Sequence, residues 1–145
     1  MDPLTSASRI RRGVVRLNRR LRQERGDGSL PPSRLEVLGH LHRHGPATPG
    51  EVAAALRQRP QSLTRVFAEL EADGLMVREA GTVDRRQSVL SLTEPGRLAL
   101  ERDMGERDAW LAGALASLSA TERGVLELAA ELMERVADLE PPASG

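Results

Sequence analysis

The residues with most chemistry to offer lie in the run AGTVDRRQ, residues 80–87, where Asp84, Arg85 and Arg86 are consecutive. Two adjacent guanidiniums are charged forks of donors, suited to phosphate oxygens and to the negative potential of a narrow minor groove. A second set lies upstream in Gln61, Ser62, Thr64 and Arg65. Short hydroxyl and amide side chains with one guanidinium are the types that hydrogen-bond to base edges in a major groove. Thr48 and Arg34, near the starts of two further predicted helices, are candidate phosphate contacts. All three histidines cluster as His40, His42 and His44. Residues two apart on a helix point in different directions, so only His40 and His44 share a face. With no cysteine and only Glu36 or Glu51 nearby, the expectation is histidines at a helix C-terminus and no metal site. No nucleophile elbow, HExxH run or phosphate-cradling glycine loop occurs, so neither an enzyme nor a cofactor is expected.

The elements that must position these residues can be read from periodicity. Leu63, Val66, Phe67 and Leu70 fall at i, i+3, i+4 and i+7, one apolar stripe of a helix whose other face carries Gln61, Ser62, Thr64, Arg65 and Ala68. Gly74 sits where that helix should stop, with Leu75 supplying the apolar contact of a Schellman-type end. Residues 76–79 are rich in strand formers, and residues 88–93 alternate, with Leu90 and Leu92 on one face. The polar run between them is too long for a two-residue turn and suits a loop that reaches away from the body. Upstream, Thr48-Pro49-Gly50-Glu51 reads as a capping box with proline at the first helical position, opening a short helix through Val52, Ala53 and Leu56. The two helices and the hairpin together spell a winged helix-turn-helix, over residues 33–96.

The flanks supply more helix. In residues 5–25, Ile10, Val14, Leu17 and Leu21 repeat at helical spacing among eight arginines. The segment has no aromatic anchor, so packing on a partner explains it better than a membrane surface. Gly26-Asp27-Gly28 should end it, and Ser33 with Glu36 should form a capping box for a helix through Leu35, Leu38 and Leu41. Thr93 should cap a long helix running past Trp110, which is expected to pack at an interface, with lining of an effector pocket as the alternative. Ser119 with Glu122 makes a third capping box. Beyond it, Val125, Leu126, Leu128, Leu132, Met133, Val136 and Leu139 cover more than one face, predicting a helix buried on two sides. Residues 140–145 should fray.

The pieces GPATPGEVAAAL, SLTRVFAELEADGLMVRE and DRRQSVLSLTEPG, in this order, resemble the MarR family of bacterial transcription regulators. The resemblance spans residues 5–139 and implies a mostly α-helical protomer of six helices with a small β-hairpin wing. It implies a homodimer whose first and last helices, residues 5–25 and 97–139, interlock as a dimerisation platform. The partner implied is double-stranded DNA, with Gln61, Ser62, Thr64 and Arg65 in a major groove, Arg86 in the adjacent minor groove and Arg85 near the backbone. Asp84 would hold the arginine two residues on in its extended pose. Control by a small molecule, often an aromatic acid or drug-like compound, bound between platform and winged domain is also implied. Arg59 stands where the family often caps the recognition helix with serine, and Gln58 where it often has an aliphatic residue.

Composition agrees with a single protomer. The chain has 145 residues and no cysteine, which excludes a disulfide framework, a thiolate metal site and a thiol switch. The first residues carry no apolar signal-peptide core and no stretch approaches the length of a membrane span, so a cytoplasmic protein away from the membrane is expected. All 21 basic residues are arginine, and the net charge is zero. That balance hides a polarity: residues 1–100 hold 17 Arg against 11 Asp and Glu, and residues 101–145 hold 4 against 10. A basic body with an acidic C-terminal segment presents one region to phosphates. The reading is a sequence-specific regulator, a repressor binding a palindromic operator. The alternative is a winged-helix dimer serving as a protein-interaction module, which would have no need of Arg65, Arg85 and Arg86 at those positions.

Overall fold

Prolines set where most of the helices begin. The computed structural model describes residues 1–26 and 28–142. Its helices are α1 (Pro3–Gln23), α2 (Pro32–His44), α3 (Pro49–Ala55), α4 (Pro60–Ala72), α5 (Glu94–Leu115) and α6 (Ala120–Ala137). Proline opens α1, α2, α3 and α4. At a first helical position its missing N–H would have had no partner, and its fixed φ already suits the helix. Asp2 caps α1 by accepting from the Thr5 N–H at 3.2 Å. At α2 the expected cap is displaced: Pro31 holds the N-cap position, without a side-chain bond, and Ser33 lies inside the first turn. The cause is local, because a residue before proline is forced into extended backbone, the conformation an N-cap requires. At α3 only half of the expected box forms, the Thr48 hydroxyl accepting from the Glu51 N–H at 3.1 Å. The Ser119 and Glu122 box at α6 is complete.

The two strands, β1 (Met76–Ala80) and β2 (Ser88–Leu92), pair antiparallel from Met76 opposite Leu92 to Ala80 opposite Ser88. A short third contact joins them to the helices: Ala47, between α2 and α3, exchanges backbone hydrogen bonds with Leu90 at 3.1 and 2.8 Å. The core sits beneath this hairpin. Leu35, Val37, Leu38 and Leu41 of α2 meet Leu63, Phe67 and Leu70 of α4, with Val52, Met76 and Leu90 closing the sides. The predicted stripe of α4 is therefore the buried one, with Val66 partly covered.

Two close approaches fix the joints. Gly74 has φ +73°, and the Leu75 N–H bonds the Leu70 carbonyl while the Gly74 N–H bonds that of Glu71. This is the Schellman end, and it turns the chain into β1. A Cβ on Gly96 would land on the Leu75 carbonyl oxygen, so the start of α5 seats directly on that turn. Thr93 serves both elements, its hydroxyl donating to the Gly74 carbonyl at 2.6 Å and accepting from the Gly96 N–H at 3.1 Å.

The chain divides into two compact units, Met1–Arg107 and Asp108–Gly145. The second comprises the end of α5, which holds the half-buried Trp110, together with α6. None of the α6 residues is buried, and Val125, Leu128, Val136 and Leu139 are each more than half exposed. The expected burial on two sides is not met within the protomer, because a pair of helices offers no third layer to cover an apolar surface that wraps around one of them. The frayed tail expected at 140–145 is non-helical over 140–142, while 143–145 and Asp27 lie outside the described residues. No helix among the described residues is long and apolar enough to cross a membrane.

Candidate nucleic-acid interface

Burial of the Leu63, Phe67 and Leu70 stripe turns the opposite face of α4 outward, and Gln61, Ser62, Thr64 and Arg65 are all exposed there. The Thr64 hydroxyl donates back to the Pro60 carbonyl at 3.2 Å, leaving its oxygen lone pairs for an incoming donor. Arg65 is 89% exposed, with its Nε on Glu69 Oε1 at 2.8 Å. Arg59 leaves the N-terminus of α4 without a side-chain cap, as its departure from serine implied. Gln58 spends its side chain on Glu36 of α2, at 3.2 Å.

The wing tip is a small closed turn. Gly81 N–H donates to the Gln87 carbonyl at 2.7 Å and Gln87 N–H to the Asp84 carbonyl at 3.1 Å. A Cβ on Gly81 would lie 2.5 Å from the Asp84 carbonyl oxygen, so only glycine lets the turn close this tightly. Within it the Asp84 carboxylate accepts from the Arg86 backbone N–H at 2.9 Å. Asp84 therefore holds the arginine two residues on by its main chain, and among the described residues no ion pair joins it to either guanidinium. Arg85 and Arg86 are exposed around it, and the apolar Val83 stands fully in solvent.

Arg34 occupies a different environment from the wing arginines. Only 20% of its side chain is exposed, and its guanidinium spans Glu69 of α4 and Asp73 at the C-cap of that helix, each at 2.8 Å. The hydrogen bond that it donates to Glu69 raises its already high pKa further. Those same bonds, first from Arg34 and then from Arg65, hold the Glu69 carboxyl below the usual carboxylate range. Glu71 is met by Arg78 of β1 at 3.4 Å. The acids near the end of α4 are thus neutralised locally, whereas Arg57, Arg59, Arg85 and Arg86 are exposed cations with no ion pair among the described residues. Arg57 and Arg59 were missed from sequence. Arg57 sits in the turn between α3 and α4 at φ +53°, a left-handed conformation unusual for a long side chain. The signal available was their place in RQRP, immediately before the outward-facing helix.

Among the described residues of the Met1–Arg107 unit, cavities open at two places of note. One of about 350 Å³ is walled by Leu30, Leu75, Pro95 and Leu98, with Arg102 and Asp103 at its polar side. Asp103 is buried, and its Oδ2 accepts from the Leu30 N–H at 2.8 Å while Arg107 meets Oδ1 at 3.1 Å. The other cavity, about 270 Å³, lies among α1, α2 and α5 and gathers Arg22, Arg43 and Arg107 around Leu35 and Met104. His40 and His44 share a face as expected, with ring centroids 4.7 Å apart. Burial, then repulsion from His44 and Arg43, pushes the His40 pKa down against the pull of Glu51. Among the described residues no group of three or more His, Cys, Asp or Glu is disposed to hold a metal ion.

A MarR family model matches residues 29–87, which span the α2 to wing region. Over 135 residues the chain is 37% identical to an HTH-type transcriptional regulator of Mycobacterium tuberculosis, covering 93% of this chain and 94% of that protein. The HTH-type transcriptional repressor MdtR of Bacillus subtilis is 35% identical over 69% of this chain and 63% of its own length. A crystal structure of a transcriptional regulator protein from Pseudomonas aeruginosa matches with a TM-score of 0.78 at 38% identity, covering 94% of this chain and 96% of that one.

Proposed function

The chain belongs to the MarR family of transcription regulators, and from that premise we propose that it is a homodimeric repressor of a palindromic operator, released by a small anionic molecule. In this reading each protomer lays α4 in a major groove with Gln61, Ser62, Thr64 and Arg65 toward base edges. Arg86 enters the neighbouring minor groove, Arg85 meets the backbone and Asp84 shapes the turn that carries both. The Thr48 hydroxyl, whose proton is not used by its cap, donates to phosphate, joined by Arg57 and Arg59. Arg34 contributes through α4, holding Glu69 within that helix and Asp73 at its C-cap.

The observation that carries this reading is the set of exposed guanidiniums on the α3–α4 turn and the wing that have no ion pair among the described residues, while Glu69, Glu71 and Asp73 at the end of α4 are each met by an arginine. A protein-interaction module gains nothing from that separation of charge. Dimerisation is supported by apolar residues that each protomer leaves open, Ile10, Val14 and Leu17 on α1 and Val125, Leu128 and Val136 on α6. Repression is supported by the likeness to MdtR. Release by an anion is supported by the cavity that places Arg22 and Arg43 beside Leu35 and Met104, where Arg107 is already held by Asp103 and Glu36 also lines the wall.

Selection from randomised duplex DNA tests the reading directly. The expected product is an inverted repeat with half-sites about 10 base pairs apart centre to centre. Light scattering should give twice the 15.8 kDa chain mass. A monomer, or a protein that enriches no sequence, would overturn the proposal.

A further inference from the structure

Resting on the reading that α4 enters a major groove, we infer that Glu69 is a positioning residue for base recognition, holding Arg65 by one edge so that its other edge is a ready fork for a single guanine. The geometry divides the work of one carboxylate between two helices. Its Oε2 receives Arg34 Nη2 at 2.8 Å and Nε at 3.3 Å, and Arg34 Nη1 is fixed in turn by Asp73 at 2.8 Å. Among the described residues its Oε1 receives only Arg65 Nε, at 2.8 Å. Exposure rises along the chain of contacts, from 20% at Arg34 through 35% at Glu69 to 89% at Arg65. A half-buried guanidinium anchored on α2 thus steadies a solvent-facing one on α4.

What remains free on Arg65 matters most. Among the described residues neither of its Nη groups has a partner, and together they form the planar pair of donors that matches the N7 and O6 acceptors of guanine. An unrestrained arginine loses rotamer freedom on binding, worth on the order of tenfold in an equilibrium constant. Glu69 meets that cost before DNA arrives. Helix stability gives the pair little reason to exist, because it is exposed and runs arginine to glutamate along the helix, the weaker orientation. With both carboxylate oxygens already accepting from guanidinium groups, Glu69 also shows little bare charge to the duplex.

The test is site selection on the full-length protein, comparing wild type with Arg65→Ala, Glu69→Ala, Glu69→Gln and the Arg65→Ala/Glu69→Ala double variant, with melting temperature recorded for each. Arg65→Ala should erase guanine preference at one symmetry-related position and so identify it. Glu69→Ala should lower preference at that same position about tenfold and leave the others unchanged. Glu69→Gln keeps an acceptor oxygen in place and should retain most of the preference. In the Arg65→Ala background the Glu69 change should add nothing there. If the alanine variant melts early, Glu69→Met, a helix former of similar length without an acceptor, carries the same expectation. The inference is overturned if loss of Glu69 leaves that position intact or relaxes all positions alike, or if Arg65→Ala alters no single position. A wild type that selects no sequence would instead refute the DNA reading on which the inference rests.

Discussion

Replacing Asp84 with alanine sets two effects of opposite sign against each other at the wing tip. The substitution removes a negative charge close to where phosphates would lie, and it removes the acceptor that fixes the Arg86 N–H at 2.9 Å. A unit charge about 10 Å from a phosphate in water is worth roughly 0.4 kcal/mol, and a Debye length of about 8 Å at physiological salt cuts that to about a third. The lost hydrogen bond is worth about 0.5–1.5 kcal/mol, so ordering of the turn should win. The net cost is about 0.5–1 kcal/mol per wing, or about fivefold to thirtyfold in affinity for a dimer using two wings. Fluorescence anisotropy on a selected duplex at fixed salt measures it. Asp84→Asn separates the effects, since asparagine keeps the acceptor and loses the charge; it should bind as tightly as wild type or slightly better. Tighter binding by Asp84→Ala would refute the bracing role and reduce the wing to a basic patch.

Other perturbations probe different parts of the molecule. Arg86→Ala should weaken DNA binding and make the log affinity against log salt slope shallower by about one per wing, with no change in melting temperature; an unchanged slope would remove Arg86 from the interface. Gly96→Ala should destabilise by on the order of 2–3 kcal/mol, because the new methyl meets a backbone carbonyl that cannot move aside. An unshifted denaturant midpoint would contradict that packing. His40 has a folded pKa below its ordinary value, so protonation favours the unfolded chain. Its contribution is complete above about pH 6.5 and falls away as the pH drops below that toward the folded value. The stability difference between wild type and His40→Gln should therefore change across that window, and a constant difference would argue against the burial.

What could be read from sequence was what short-range pattern encodes. The α4 stripe, the Gly74 stop, the hairpin and the Ser119 box each depend on residues within one or two turns of each other, so periodicity and cap chemistry suffice. Ser33 was misplaced because two prolines just before it override a side-chain cap by steric exclusion, a stronger local effect than one hydrogen bond. The contacts of Arg34 lie on the far side of the helix-turn-helix in sequence, and nothing at Arg34 itself announces that Glu69 and Asp73 will meet it. Arg57 and Arg59 escaped because exposed arginine is common in this chain, and what distinguishes them is that neither has an ion pair among the described residues. The apolar faces of α1 and α6 were legible as faces, whereas the described residues of one protomer leave much of them exposed.

The Ala47 to Leu90 contact has a consequence for motion. Its two backbone bonds enclose α3, α4 and the whole hairpin tip within one loop of chain, and Leu90 is also fully buried. Opening that pair requires withdrawing β2 from the core, so the reading head can breathe at that point only by coming apart as a unit. In deuterated solvent the Ala47 and Leu90 amides should exchange last and together, at a rate set by cooperative unfolding of the head. The Arg86 amide, held by one exposed carboxylate, should exchange by itself on a far shorter timescale. The protein would thus present DNA with a rigid grip that ends in a pliable fingertip.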